Sequence, residues 1–132
     1  MKKFLIGLFL LVGMLTGCSN QSGSQESGNN QVPKMVEVSI KTIPQTIIIN
    51  KSAKIEAIVT QGNEKVADAI EVKFEIWKSG QNKHEMLEGK NAGNGVYSIN
   101  RTFQADGKYF VTAHVTARDM HVMPNQEFTV RK

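Results

Sequence analysis

The 132-residue chain has few of the residues that stabilise small extracellular domains or form catalytic centres. Its single cysteine excludes an internal disulfide bond, so a compact structure has to be stabilised by buried apolar side chains. It has three histidines and no second thiol, and it lacks a Gly-x-Ser-x-Gly elbow, a phosphate-binding glycine loop and a His-Glu-x-x-His helix. We therefore expect that the protein is not an enzyme, and the sequence identifies no small-molecule substrate.

The chain also lacks an apolar run long enough to span a membrane. The run at residues 4–15 is shorter than the roughly 20 residues that a bilayer requires, and it follows Lys2 and Lys3, as in a secretory signal. It ends in Leu-Thr-Gly-Cys, which resembles the bacterial lipobox, where the signal is cut before a cysteine that receives lipid chains such as palmitate. We predict a signal peptide at residues 1–17 and a lipid-anchored Cys18 on the extracytoplasmic face of the cell membrane. The alternative is a plain signal peptide with an incidental Cys18.

Residues 18–34 have almost no apolar side chains. The stretch SNQSGSQESGNNQVP that follows Cys18 is rich in Ser, Gly, Asn and Gln, and it predicts a flexible tether before a folded domain at residues 35–132. Cleavage of the signal would remove two of the 16 basic residues and would leave 14 against 12 acidic residues. The mature protein is then nearly neutral, which argues against nucleic acid as a partner.

No segment of the domain repeats apolar residues with the i, i+3, i+4, i+7 spacing of a packed helix. Short alternating segments predict strands instead, and the clearest has Ile70, Val72, Phe74 and Ile76 facing inwards and Trp77 outwards. We expect an all-β fold, an antiparallel immunoglobulin-like β-sandwich of about seven strands. The expected strands cover residues 36–40, with a short continuation at 46–49, and residues 54–59, 69–77, 84–88, 95–103, 108–117 and 126–130.

The last two strands carry the most informative pattern. If they form a hairpin that turns at Arg118-Asp119, Tyr109 lies opposite Phe128 in the core. Tyr109 follows a tight turn, where the tyrosine corner of such sandwiches lies, although a simple core tyrosine is an equal alternative. The same register places His114 opposite Met123 and His121 opposite Thr116, all on the outer face.

Imidazole and thioether groups together suit copper, and Cu(I) in particular, better than zinc or magnesium. Cross-strand partners have Cβ atoms about 4.5–5.5 Å apart, so His114, His121 and Met123 predict one metal site. Solvated histidines and gap-filling methionines are the ordinary explanation for each residue taken alone.

His84 and Met86 repeat the His-x-Met spacing of His121 and Met123, which on a strand directs both side chains to one face. They follow the turn after the strand at 69–77, at the end of the sandwich opposite the final hairpin. Eight strand residues at about 3.3 Å each would separate the two His-x-Met units by over 20 Å. Either residues 78–93 fold back across the sheet, or His84 and Met86 form a separate and weaker site.

Several segments together resemble the YtkA-like domain of bacterial lipoproteins, which is related to FixH-type proteins. The resemblance covers residues 52–130 and rests on HEM at 84–86, GVYS at 95–98, GKYFV at 107–111, AHVTA at 113–117 and MHVMP at 120–124. It implies an immunoglobulin-like sandwich, and relatives of the family are associated with copper handling and respiratory oxidase assembly. It implies five ligand candidates, which are His84, Met86, His114, His121 and Met123. The His-x-Met arrangement is also similar to that of extracytoplasmic copper chaperones, but this chain does not have the full residue spacing of those chaperones.

Two functions therefore remain open from the sequence. The first is a membrane-anchored lipoprotein that binds copper for delivery to a copper-accepting membrane protein or for buffering. The second is a metal-free interaction module that contacts a membrane protein complex through an exposed face around Trp77.

The lipid anchor is directly testable. We expect Cys18→Ser to block processing or to release the protein from the membrane fraction, because stable anchoring requires the lipid chains. Fractionation of cells with detection of the processed form measures both effects. Unchanged membrane association of the variant would contradict the anchor.

Overall fold

Strands follow one another through the whole described part of the chain, which is residues 31–132 of a computed structural model. Residues Val32–Lys132 form one compact unit. The predicted signal peptide at residues 1–17, Cys18 and most of the predicted tether lie outside the described residues. Within residues 31–132, no helix is long and apolar enough to cross a membrane. The strands are β1 (Val36–Ile43), β2 (Ile47–Ile48), β3 (Ser52–Gln61), β4 (Glu64–Lys65), β5 (Glu71–Lys78), β6 (Glu85–Glu88), β7 (Lys90–Gly93), β8 (Val96–Thr102), β9 (Gly107–Ala117), β10 (Met120–Val122) and β11 (Asn125–Arg131).

The strands form two sheets. The first has the order β1-β3-β8-β7, with β4 paired to β3, and the second has the order β2-β11-β9-β5-β6, with β10 paired to β9. All pairs are antiparallel except β2 with β11. The all-β, immunoglobulin-like sandwich that the sequence predicts is confirmed. Short strands such as β4 and β7 raise the number above seven, and β2 pairs in the second sheet instead of continuing β1 in the first.

The core lies between the two sheets and follows the alternation of the strands. Val72, Phe74 and Ile76 of β5 are buried, and so are the inward residues of its neighbour β9 and of β3 in the other sheet. Ile70 is an exception, because it lies one residue before β5 begins, at the end of the sheet, and is 78% exposed. The prediction that Ile70 faces the core is wrong for this reason.

Two tyrosine hydroxyl groups tie loops to this core. Tyr109 donates a hydrogen bond of 2.8 Å to the carbonyl oxygen of Ala105, four residues upstream, which is the geometry of a tyrosine corner. Burial raises the pKa of the Tyr109 phenol. The buried Tyr97 makes two bonds, since its hydroxyl donates to the carbonyl oxygen of Val66 and accepts from the amide of Ala69. Both bonds hold the segment between β4 and β5.

We expect Tyr97→Phe to lower the free energy of unfolding by about 1–3 kcal/mol, because it leaves a backbone donor and a buried acceptor without a partner. Tyr109→Phe is the matched control and should cost about 1 kcal/mol, since it removes one bond in an exposed loop. Urea unfolding of both variants measures the difference. Equal losses of unfolding free energy in the two variants would show that the two hydrogen bonds of Tyr97 are not its main contribution to stability.

Candidate metal centre

The order β10-β9-β5-β6 places the predicted ligands within one residue of neighbouring strands of the second sheet or on these strands. The register of the final hairpin is confirmed, with Phe128 opposite Tyr109 and His121 opposite Thr116. The pairs on either side, Val122 with Val115 and Asn125 with Thr112, keep the same register, so Met123 lies opposite His114.

The turn of this hairpin lies at Arg118-Asp119, as the sequence predicts. Both residues have positive φ angles, 52° and 61°, which suits the right-handed twist of the two strands. The Arg118 guanidinium bonds to the carboxylates of Glu64 and Asp68, at 3.1 Å each. These contacts attach the hairpin to the segment around β4 and so fix the position of His121.

The chain between β5 and β6 folds back along the sheet. In β6, Met86 lies opposite Glu75 of β5, and on the other side of β5, Lys73 lies opposite His114 of β9. His84 therefore approaches the outer face of β5 directly. Of the two chain paths that the sequence leaves open, the structure has the return of this segment to the sheet beside β5.

The Glu75 carboxylate lies between two of the three imidazoles. Its Oε1 is 2.6 Å from His84 Nδ1, and its Oε2 is 2.7 Å from His114 Nε2. An ionised carboxylate only accepts hydrogen bonds, so both facing ring nitrogens carry the proton. In the neutral imidazoles the lone pairs are then on His84 Nε2 and His114 Nδ1. One carboxylate thus fixes the tautomer of two candidate ligands.

His121 lies on the other side of His114. The centroids of the two rings are 6.1 Å apart, and His121 Nδ1 is 2.8 Å from the Thr116 hydroxyl group. Among the described residues, His121 Nε2 and His114 Nδ1 have no hydrogen-bond partner. We call the four side chains of His84, Glu75, His114 and His121 the histidine face.

Two exposed methionines flank the histidine face. Met86 is 53% exposed and Met123 is 55% exposed. Met120 differs, because it packs against the core and its sulfur accepts a hydrogen bond from the amide of Val36 at 3.4 Å. The thioethers that remain available beside the imidazoles are therefore those of the two His-x-Met units.

Trp77 is less available than the sequence suggests. Its ring stacks on His84 with a centroid distance of 4.3 Å and on Phe110 at 5.5 Å. It is half-buried between them, so only part of the ring is accessible at this face.

The donors at this face are imidazoles, one carboxylate and thioethers. Among residues 31–132, no group of three or more His, Cys, Asp or Glu side chains is arranged to hold a metal ion. The sulfur atoms of Met86 and Met123 are the soft donors beside the imidazoles.

Glu75 is a candidate site residue that the sequence did not identify. The alternation of the strand already places its side chain on the outer face of β5, on the same side as the histidines. That β5 lies between β9, which carries His114, and β6, which begins one residue after His84, depends on the sheet order, which local patterns do not encode.

Residues 30–114 match the family model described as YtkA-like, which is more than half of the chain. The chain belongs to the YtkA-like family. The match begins earlier and ends sooner than the resemblance at residues 52–130 predicts. It includes His84, Met86 and His114, while His121 and Met123 lie beyond it. No curated protein matches this YtkA-like protein.

Solved structures share its fold at low sequence identity. The DNA glycosylase AlkC of Pseudomonas fluorescens has a TM-score of 0.50 at 13% identity, over 74% of this chain and 30% of AlkC. The PmoD soluble domain from Methylocystis sp. has a TM-score of 0.49 at 13% identity, over 74% of this chain and 91% of that domain. The CARDB domain of the PF1109 protein from Pyrococcus furiosus, in complex with di-metal ions, has a TM-score of 0.44 at 20% identity, over 76% and 96%. Similarity at this level concerns the fold alone.

The hydrogen bonds from His84 and His114 lower the pKa of the Glu75 carboxyl from its ordinary value of 4.5. A lowered pKa in the folded state stabilises the protein above pH 4.5, and this contribution is lost as the pH falls through the lowered value. We expect Glu75→Gln to cost about 1 kcal/mol at neutral pH. The difference from wild type should shrink in acid, where Glu75 becomes protonated.

The control is Glu71→Gln on the same strand and face, whose ion pair with Lys73 is nearly half exposed and contributes little. Urea unfolding at neutral and acidic pH measures both variants. A loss for Glu75→Gln that equals the loss for Glu71→Gln, or that does not change with pH, would contradict the bridging role.

Proposed function

We propose that this protein is a membrane-anchored extracytoplasmic lipoprotein that binds copper, as Cu(I), for delivery or buffering. The ligands are imidazole nitrogens of His114 and His121 and the thioether of Met123. His84 and Met86 supply a second pair of donors on the other side of Glu75. Copper when bound is the cargo, and the protein carries out no turnover chemistry.

The carboxylate of Glu75 is the observation that supports this proposal most. Histidines that bind metals almost always donate their second ring N–H to a carboxylate, carbonyl or water, which fixes the tautomer and makes the other nitrogen a better ligand. Glu75 does this for His114 and His84 at once. A purely structural ion pair would not require two imidazoles or two exposed methionines beside it.

The position of the donors suits transfer more than storage. His121 lies on the surface and Met123 is 55% exposed, so a partner protein can approach the ligands directly. The partner that fits is a copper-accepting membrane protein, since the lipid anchor on Cys18 would hold the domain at the membrane. Service to a respiratory oxidase is one form of this delivery role.

The binding test uses residues 19–132, titrated with Cu(I) in competition with a chromophoric chelator under anaerobic conditions. We expect a dissociation constant below micromolar for wild type and a loss of at least about a hundredfold for His121→Ala combined with Met123→Ala. Glu75→Gln should weaken binding by about 10–100-fold, which is typical when a partner of a ligand is removed.

Two controls make the result specific. Met35→Ala removes a methionine that is 66% exposed and lies outside the histidine face, and it should leave the affinity unchanged. Trp77, the only tryptophan, stacks on His84, so its fluorescence reports whether His84 joins the site. Wild-type binding no tighter than micromolar would refute the copper function and favour the metal-free interaction module.

A further inference from the structure

The chain that leads to Cys18 leaves the domain at a fixed point. Val36 pairs with Gln61 at the end of β3, and the side-chain amide of Gln61 donates a hydrogen bond of 2.8 Å to the carbonyl oxygen of Lys34. The Lys34 side chain lies over the backbone of Gly62, where a Cβ atom would be 2.5 Å from its Cδ. The exit of the chain is therefore held against the turn between β3 and β4.

The turn that precedes His121 lies at the same end of the sandwich. Its Arg118 donates to the side-chain oxygen of Gln61 at 3.1 Å, and the amide of Val36 donates to the sulfur of Met120 at 3.4 Å. His121 is the second residue of β10, directly after this turn. The exit of the chain and the nearest proposed copper ligand are thus neighbours. We call this end of the sandwich the tether end, and its surface consists of residues 32–36, 61–70 and 117–121.

Apolar side chains are exposed at the tether end. Met35 and Val32 are highly exposed where the chain leaves the domain. Ile70 is also highly exposed, and its amide donates to the carbonyl oxygen of Thr116 at 2.8 Å, beside the β9–β10 turn. Of the large apolar side chains that are exposed among the described residues, these three are half. Single exposed apolar side chains are ordinary, whereas several at one end of a domain indicate a contact surface.

The formal charges of the tether end balance. It contains three cations and three carboxylates, which are Lys34, Lys65, Arg118, Glu64, Asp68 and Asp119. Arg118 is already paired with Glu64 and Asp68. Attraction to anionic lipids requires clustered Lys and Arg side chains, so a contact with lipid at this end depends mainly on the apolar side chains.

The predicted tether is short compared with the domain. For the 17 residues from 18 to 34, the mean reach is about 20–25 Å, at roughly 5–6 Å times the square root of the length. The 11 residues of β9 extend along the sandwich for about 35 Å. A lipid anchor on Cys18 therefore keeps the tether end nearer to the bilayer than the opposite end. It also makes any contact with the bilayer intramolecular, at an effective concentration of about millimolar, so a weak apolar contact is sufficient.

We propose that the tether end is a membrane-docking surface, on which Ile70 and Met35 contact the phospholipid bilayer. This rests on the lipid anchor of the proposed function and adds the orientation of the anchored domain. In this orientation His121 lies close to the bilayer and His84 lies farther from it. An acceptor in the same membrane then receives copper from the ligands nearest the lipid surface.

The test uses metal-free residues 18–132, the predicted mature chain, which include the whole compact unit. Cys18 is the only cysteine, so a maleimide lipid attaches there alone and anchors the protein in nanodiscs of phosphatidylethanolamine and phosphatidylglycerol. A gadolinium-chelating lipid then broadens the amide signals of residues close to the bilayer. We expect the strongest broadening at residues 61–70 and 117–121, and the weakest at residues 79–82 and 104–106 at the opposite end.

Variants separate the apolar contact from the position of the anchor. Ile70→Gln combined with Met35→Gln should remove most of the difference in broadening between the two ends, and both side chains are too exposed to support the core. Ile43→Gln is the matched control, because Ile43 is an exposed isoleucine near the opposite end, paired with Lys54, and this variant should keep the difference.

Equal broadening at both ends, stronger broadening at residues 79–82 and 104–106, or an unchanged difference in the double variant would each overturn the proposal. Copper affinity is measured separately by competition with the chelator. A failure of the docking surface and a failure of the copper function are therefore distinguishable.

Discussion

The antiparallel pairing of β5 with β9 at the centre of the second sheet is the constraint on which the rest of the molecule depends. It buries the inward residues of both strands, including Phe74 and Val111, against the first sheet. Because side chains alternate along a strand, the same register sends Glu75 and His114 to the outer face together. A slip of one residue would expose the core and dismantle the histidine face in one step.

The outer face of this sheet carries a connected set of polar contacts. Glu75 holds His114 of β9 on one side of β5 and His84, which precedes β6, on the other side. Arg118 ties the turn that precedes His121 to the segment around β4. The imidazole nitrogens that these bonds leave unprotonated have exposed thioethers beside them. The proposal of a Cu(I) site rests on these fixed tautomers and on the soft thioether donors beside them.

The histidine face ends at the stacked pair of Trp77 and His84. The strand β5 carries Glu75 at the centre of this face and Trp77 two residues further on. Trp77 is the only tryptophan of the chain, so its fluorescence reports on the surroundings of His84.

Local patterns in the sequence were sufficient for most of the fold. Strict alternation predicted the central strands and the sandwich, and the hairpin register that pairs Tyr109 with Phe128 followed from burying both rings. This worked because alternation and turn chemistry depend on neighbouring residues only. Ile70 was misplaced because alternation alone does not show where a strand begins and where the opposite sheet ceases to cover it.

The composition of the site depended on contacts between distant parts of the chain. His114, His121 and Met123 were predictable together because one tight turn sets their register. The approach of His84 to His114 required β6 to return beside β5, and the role of Glu75 required β5 to lie between β6 and β9. Strand order is decided by how the two sheets together bury the whole core. Only the tertiary structure could therefore place the carboxylate of Glu75 between His84 and His114, which are 30 residues apart in sequence.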